Sequence, residues 1–231
     1  MRDDICTIPV SEVFEHNGGC PICRMRDTIE ERMTDYILGD AMMEPDVRIE
    51  TNKTGFCEHH YNNMMSRRGR LQLALMLQTH INEINGEIFK KKLFNTDSKK
   101  TGNAKNITDS CFICSKIEWG LSRMIETVYR CYETQKDFRD MFNSQSMFCL
   151  PHYERLLGGA SKRNMKSYYS EFSENLNRIT GEYSKSLYDD LSKYCTMYDY
   201  RSRDGETDWG NSRDAVERTV AFLNGRIYDV Y

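Results

Sequence analysis

No uncharged apolar run in this 231-residue chain approaches 18 residues, and the opening Met1-Arg2-Asp3-Asp4-Ile5-Cys6 carries no apolar core of a signal peptide. Both absences predict a soluble, cytoplasmic protein with no membrane span. Alternating apolar and polar residues of the β type are missing over any useful length, so a sheet is not expected. There is no Gly-rich phosphate loop and no Ser/His/Asp set at informative spacing, so no catalytic residue is assigned. An excess of one charge is missing too. The formal net charge of -3 and a pI near 6.0 give no global push toward nucleic acid or anionic lipid. Apolar residues make up 39% of the chain and charged ones 29%, with a mean hydropathy of -0.70. Small lobes of such composition bury little apolar area and gain from metal cross-links.

What the chain does have is cysteine, nine in all. Cys20-Pro21-Ile22-Cys23 is followed by Cys57-Glu58-His59-His60. Further on, Cys111-Phe112-Ile113-Cys114 is followed by Cys149-Leu150-Pro151-His152. Each half thus carries a C-x-x-C and then a C-x-x-H at nearly the same interval. Three sulfurs and one imidazole, delivered as two i/i+3 pairs, form the ligand set of a closed tetrahedral zinc site. In a reducing compartment, cysteines at this spacing bind metal or do redox chemistry more often than they form disulfides. The ligands read from the sequence are Cys20, Cys23, Cys57, His60, Cys111, Cys114, Cys149 and His152, holding two zinc ions. An iron–sulfur cluster is the alternative, since Cys/His ligation occurs there as well. A thioredoxin-like role is disfavoured because no βαβ context surrounds either C-x-x-C. His59 is a second choice to His60, and it has no counterpart in the second half. The two C-x-x-C knuckles could meet and share metal; closure of each site inside its own module is the simpler arrangement.

The rest of the chain repeats in the same order, as an internal duplication would. Met25, Ile29, Met33, Tyr36 and Ile37 mark one face of a helix after the first knuckle, and Gly39 is placed to end it in a left-handed turn. Pro45 reads as the first residue of the next helix. A longer helix is expected from about Leu71 to Phe94. In the second copy Ile117, Leu121, Met124, Ile125, Val128 and Tyr132 form the face, Asp137-Phe138-Arg139 answers Asp46-Val47-Arg48, and Phe148-Cys149 answers Phe56-Cys57. The closing helix has a seam through Met165, Tyr169, Phe172, Leu176, Ile179, Tyr183, Leu187 and Leu191, expected to lie against the 71–94 helix and join the copies. A last helix capped by Asn211 or Ser212 places Ala215, Val216, Val220 and Leu223 inward and stops at Gly225. The fold class is therefore all-α: a tandem duplication of a metal-stapled helical module, divided as residues 1–95, a polar linker 96–110, residues 111–198, and a loop and helix over 199–231.

Among the remaining residues, Cys131 and Cys195 read as small core residues, and Cys6 has no partner at ligand spacing. His16 and His80 read as surface or boundary histidines. The recurring Asp46/Arg48 and Asp137/Arg139 read as one salt bridge or cap in each copy. Arg67, Arg68 and Arg70, and Lys90-Lys91-Lys92 with Lys99, Lys100 and Lys105, read as solvated helix ends and linker rather than a nucleic-acid stripe.

With these motifs in hand, the chain resembles an uncharacterised bacterial family catalogued as a domain of unknown function. The residues that carry the likeness are Cys20-Pro21-Ile22-Cys23-Arg24, Val47-Arg48, Gly55-Phe56-Cys57, His60, and Phe222-Leu223-Asn224-Gly225. Met147 departs from the pattern, standing where a glycine would precede Phe148. The resemblance implies the architecture and no activity. The function expected is a non-catalytic, metal-binding interaction or regulatory module with a protein partner. A thiol or iron–sulfur redox protein and an enzyme with a site in the helical cleft are the other two classes.

Overall fold

The computed structural model describes residues 7–90, 96–198 and 208–225. Cys6, the end of the expected 71–94 helix, Lys91 and Lys92 lie outside those residues. Among the described residues all regular structure is helical. The elements are α1 (Thr7–Glu15), α2 (Pro21–Leu38), α3 (Pro45–Thr54), α4 (Glu58–Ser66), α5 (Arg70–Ile84), α6 (Asp97–Thr108), α7 (Phe112–Thr134), α8 (Lys136–Asn143), α9 (Leu150–Gly159), α10 (Tyr169–Tyr198) and α11 (Ala215–Asn224). Short 3-10 turns at Asp40–Met43 and Gly210–Ser212, and a π-turn at Asn85–Phe89 that prolongs α5, complete them.

The chain forms two compact units, one made of Met1–Met25 with Ser122–Tyr231 and the other of Arg26–Leu121. Each unit therefore draws on both sequence repeats, taking the C-x-x-C of one and the C-x-x-H of the other.

In the Arg26–Leu121 unit, Ile37, Leu38, Ala41, Phe56, Met64, Leu73, Met76, Phe112 and Ile113 form the core. Helix α5 packs on α3, and α6 on α3 and the π-turn. Helix α6 occupies the stretch read as a linker. Its composition is polar and it buries nothing, but Thr96 caps it by accepting from the Lys99 N–H at 3.4 Å. Gly39 does not take the left-handed form expected of it, with φ of -107°. Arg48 donates to the Met42 and Leu75 carbonyls and to Thr79 Oγ1 rather than bridging to Asp46, while Asp46 lies in the positive first turn of α3.

In the other unit the core is aromatic. Phe142 lies 4.9 Å from both Phe148 and Phe172, 5.1 Å from Tyr132 and 5.6 Å from Phe14, centroid to centroid. These edge and stacked contacts are the arrangements that ring quadrupoles favour. Helix α10 packs within this unit against α8, α9, α11 and the second 3-10 turn; Phe172, Leu176, Ile179 and Leu187 are the buried part of its seam. Arg139 donates to the Tyr132 carbonyl and lies over the Tyr168 ring at 3.8 Å, again without an Asp137 bridge. Asp214 takes the N-cap place of α11 expected of Asn211 or Ser212. Ala215 and Phe222 are the buried residues of that helix, and Val216 and Leu223 are exposed. Cys131 is buried as read, but Cys195 is exposed.

Candidate metal centres

The four motifs share one local structure. Cys20, Cys57, Cys111 and Cys149 each stand immediately before a helix (α2, α4, α7 and α9). In every case the carbonyl of that cysteine accepts the first intrahelical hydrogen bond: from Arg24 at 3.2 Å, Tyr61 at 2.9 Å, Ser115 at 3.1 Å and Tyr153 at 2.8 Å. The first ligand is thus an N-cap and the second, three residues on, lies in the first turn on the same side. That geometry is why the motifs need a spacing of three. It also aims the positive end of a helix at each pair of ligands, where a thiolate is favoured.

The pairs converge in a crossed fashion. Cys20, Cys23, Cys149 and His152 come together in one unit, and Cys57, His60, Cys111 and Cys114 in the other, each set with its ligand atoms within 4.8 Å of one another. All eight predicted residues are gathered, but the expectation that each repeat closes its own site is overturned. The reason is helix length. The 15 residues of α2 beyond Cys23 carry the chain about 22 Å away from it, and the ten of α3 bring it back about 15 Å at most. His60 accordingly meets α2 at Glu30, seven residues past Cys23. The crossed partners are fastened by the segments just before them. Phe112 N–H donates to the Gly55 carbonyl at 3.0 Å and Ser110 Oγ to the Thr54 carbonyl at 2.7 Å. In the other unit Gln145 Nε2 donates to the Phe14 carbonyl at 2.8 Å, and Asn17 Nδ2 to the Ser144 carbonyl at 3.0 Å.

The distances fit a single four-coordinate ion. Bond lengths of about 2.3 Å to sulfur and about 2.05 Å to nitrogen require tetrahedral edges of about 3.8 Å between sulfurs and about 3.6 Å from sulfur to nitrogen. In the first site Cys23 Sγ lies 3.6 Å from Cys149 Sγ, and His152 Nδ1 lies 3.6, 3.3 and 3.1 Å from the sulfurs of Cys20, Cys23 and Cys149. In the second, Cys57 and Cys114 sulfurs are 3.8 Å apart, and His60 Nδ1 lies 3.1, 3.3 and 3.5 Å from Cys57, Cys111 and Cys114. None of these cysteines is in a disulfide.

Without a cation the sulfurs compete for charge. Burial pushes Cys20 up, but hydrogen bonds with Cys149, Cys23 and His152 outweigh it and hold the thiol well below its ordinary value. Cys23 is driven far up, first by Cys149 and then by Cys20 and burial; Cys149 is pushed up to about 12, chiefly by Cys20. In the second site burial opposes, and the His60 hydrogen bond overcomes, so that Cys111 falls to about 6. Burial and the charge of Cys111 lift Cys114 to about 12. All three sulfurs of a set could ionise together only with a positive ion between them.

The surroundings of the two sites differ. Around the first, all four ligands are buried. Gly225, the last residue of the Phe-Leu-x-Gly segment, closes α11 with φ of 65° and takes a hydrogen bond from Cys23 Sγ on its carbonyl at 3.2 Å. A methyl group at Gly225 would lie 3.1 Å from Cys149 Sγ. Arg24 donates to the carbonyls of Val13, His16, Gly18 and Gly19, tying the end of α1 to the knuckle. Around the second, Glu30 Oε1 lies 2.6 Å from His59 Nε2 and 3.3 Å from His60 Nε2. The His60 ring, and after it His59, hold the Glu30 carboxyl down at about 2 against the effect of burial. A carboxylate behind a ligating imidazole fixes the ring and its tautomer. His60 is the histidine whose Nδ1 lies among the three sulfurs, and His59 points to Glu30 instead.

The match to a family model now has a structural counterpart, since it runs over residues 1–230 and so takes in all four motifs and the terminal glycine. The chain belongs to the family of unknown function DUF6062. No curated protein and no solved structure matches it. Within this DUF6062 chain the sequence motifs located all eight residues of the two clusters, while Glu30 and Gly225 were missed as their neighbours. A signal for Gly225 existed in the Phe-Leu-x-Gly ending. For Glu30 there was only its place seven residues after Cys23, a register that becomes informative once the crossing is known. His80, read as a surface or boundary residue, is buried; its Nδ1 lies 2.8 Å from the Asn52 carbonyl. A methyl group on Gly55 would come within 2.7 Å of His80 Nε2. That contact and a φ of 59° explain the glycine before Phe56; Met147 in the second copy has no positive φ to satisfy. No helix among the described residues is long and apolar enough to cross a membrane.

Proposed function

We propose that this chain is a non-catalytic protein in which two zinc ions, each held by three thiolates and one imidazole, staple one helical unit apiece and hold a surface ready for a protein partner. The observation that carries the reading is that three sulfurs and one Nδ1 converge in each set, with spacings of 3.1 to 3.8 Å that lie near the edges of one tetrahedron. A cluster of two or more irons would hold ligands of different irons farther apart than ligands of a single ion, so a mononuclear centre is favoured. Four protein ligands leave no open position for water or substrate, which argues against catalysis at the metal. Charge supports the same reading. Three thiolates and a dication sum to -1, and two helix N-termini at each site offer about +0.5 apiece.

The test is elemental analysis with a visible spectrum on protein purified without oxygen. Two zinc per chain and no colour are expected. Iron with visible absorption would replace this reading by the iron–sulfur one, and a metal-free folded chain would end both.

A further inference from the structure

The two sites hold the same donors in unequal settings. Cys20, Cys23 and Cys149 are 4%, 3% and 1% exposed, and the Gly225 carbonyl accepts from Cys23 Sγ at 3.2 Å. In the other site Cys114 is exposed, and Cys57 and Cys111 are half-buried. An electrophile must reach sulfur along an unobstructed line, so exposure decides which thiolate reacts. Cys114 also has a neighbour suited to a second step, because Cys57 Sγ lies 3.8 Å away. Closing that gap to a bond of about 2.05 Å asks for a movement of under about 2 Å by two side chains.

We infer that the Cys57/His60/Cys111/Cys114 site is a modification site for hydroperoxides, at which oxidation of two ligands expels the metal while the buried site keeps its own. The inference rests on the zinc reading above. The steps balance with hydrogen peroxide as oxidant. The Cys114 thiolate attacks one peroxide oxygen, the O–O bond breaks, and hydroxide leaves and takes up a proton, giving a sulfenic acid and water. The Cys57 thiolate then attacks that sulfur and a second hydroxide leaves, again protonated to water. Two thiolates have lost two electrons, the peroxide has gained them, and a disulfide replaces two metal bonds. A site left with Cys111 and His60 alone loses the dication to solvent. Helix α4 then begins at a cross-linked Cys57, so the unit that lost its metal changes while the other does not.

The experiment uses the full chain loaded with two zinc ions and treated with hydrogen peroxide in the presence of a zinc-sensitive dye. One equivalent should be released at least roughly tenfold faster than the other, with a Cys57–Cys114 disulfide in the peptide map. A Cys114→Ser chain, carrying zinc at the buried site only, should release none over the same period. Release of both ions together, first loss from the buried site, or no release would overturn the inference and leave zinc binding intact. Failure of the untreated chain to take up zinc would instead overturn the reading beneath it.

Discussion

Which pairs share an ion is open to a direct test by combining ligand substitutions. Each single change, Cys23→Ser or Cys57→Ser, should lower zinc from two per chain to one. The combinations then discriminate. Because Cys23 and Cys149 lie 3.6 Å apart in one site, Cys23→Ser with Cys149→Ser should still leave one zinc. Cys23→Ser with Cys57→Ser strikes both sites and should leave none. Pairing within each repeat predicts the reverse for both double variants. The energetic scale is large enough to see. A structural zinc adds on the order of 10 kcal/mol of apparent folding free energy, comparable with the whole margin of a typical domain. Cys23→Ser should therefore destabilise the unit made of residues 1–25 and 122–231 far beyond a surface change, and Cys57→Ser the unit of residues 26–121. Metal content per chain, read beside hydrogen exchange of the buried core amides of each unit, gives both answers at once. One zinc in the Cys23/Cys57 double variant, with none in the Cys23/Cys149 one, would refute the crossed arrangement.

Other substitutions probe the supports. Glu30→Gln keeps the shape but removes the charge behind His60, and should weaken zinc at that site by about 10–100-fold in a chelator competition while the buried site is unchanged. Gly225→Ala puts a methyl 3.1 Å from Cys149 Sγ at a φ of 65°; a loss of about 1–2 kcal/mol in denaturant unfolding is expected, with faster loss of the buried zinc. Phe142→Ala removes the ring that touches Phe14, Tyr132, Phe148 and Phe172, and should cost about 3–5 kcal/mol without changing the zinc count of the folded chain. An unaltered melting curve in either of the last two would mean that the contacts described carry little energy.

The motifs were legible because they are local. A cysteine that caps a helix and a second ligand one turn later are set by residues three apart, and the chain spells that four times. The pairing was not legible, since spacing says which side chains share a turn and is silent about which turn meets which. Only the lengths of α2 and α3, taken together, carry the chain past the nearer partner. Helix α6 escaped notice for a related reason: its residues bury nothing, so no apolar period marks it, and Thr96 was the one local sign. Cys195 shows the converse. It falls in α10 on a seam of apparent helical period, yet it is exposed, because burial along that helix gives out beyond Leu187.

The crossing nests one ring of chain inside another. As the polypeptide emerges from the ribosome, the inner four ligands are all present once Cys114 has appeared, so that centre can close early. Cys20 and Cys23, made first, must wait for Cys149 and His152, and for Gly225 after them, before their surroundings exist. The oldest knuckle in the chain is thus the last to be finished, and until then its thiols are open to whatever holds or protects a nascent protein.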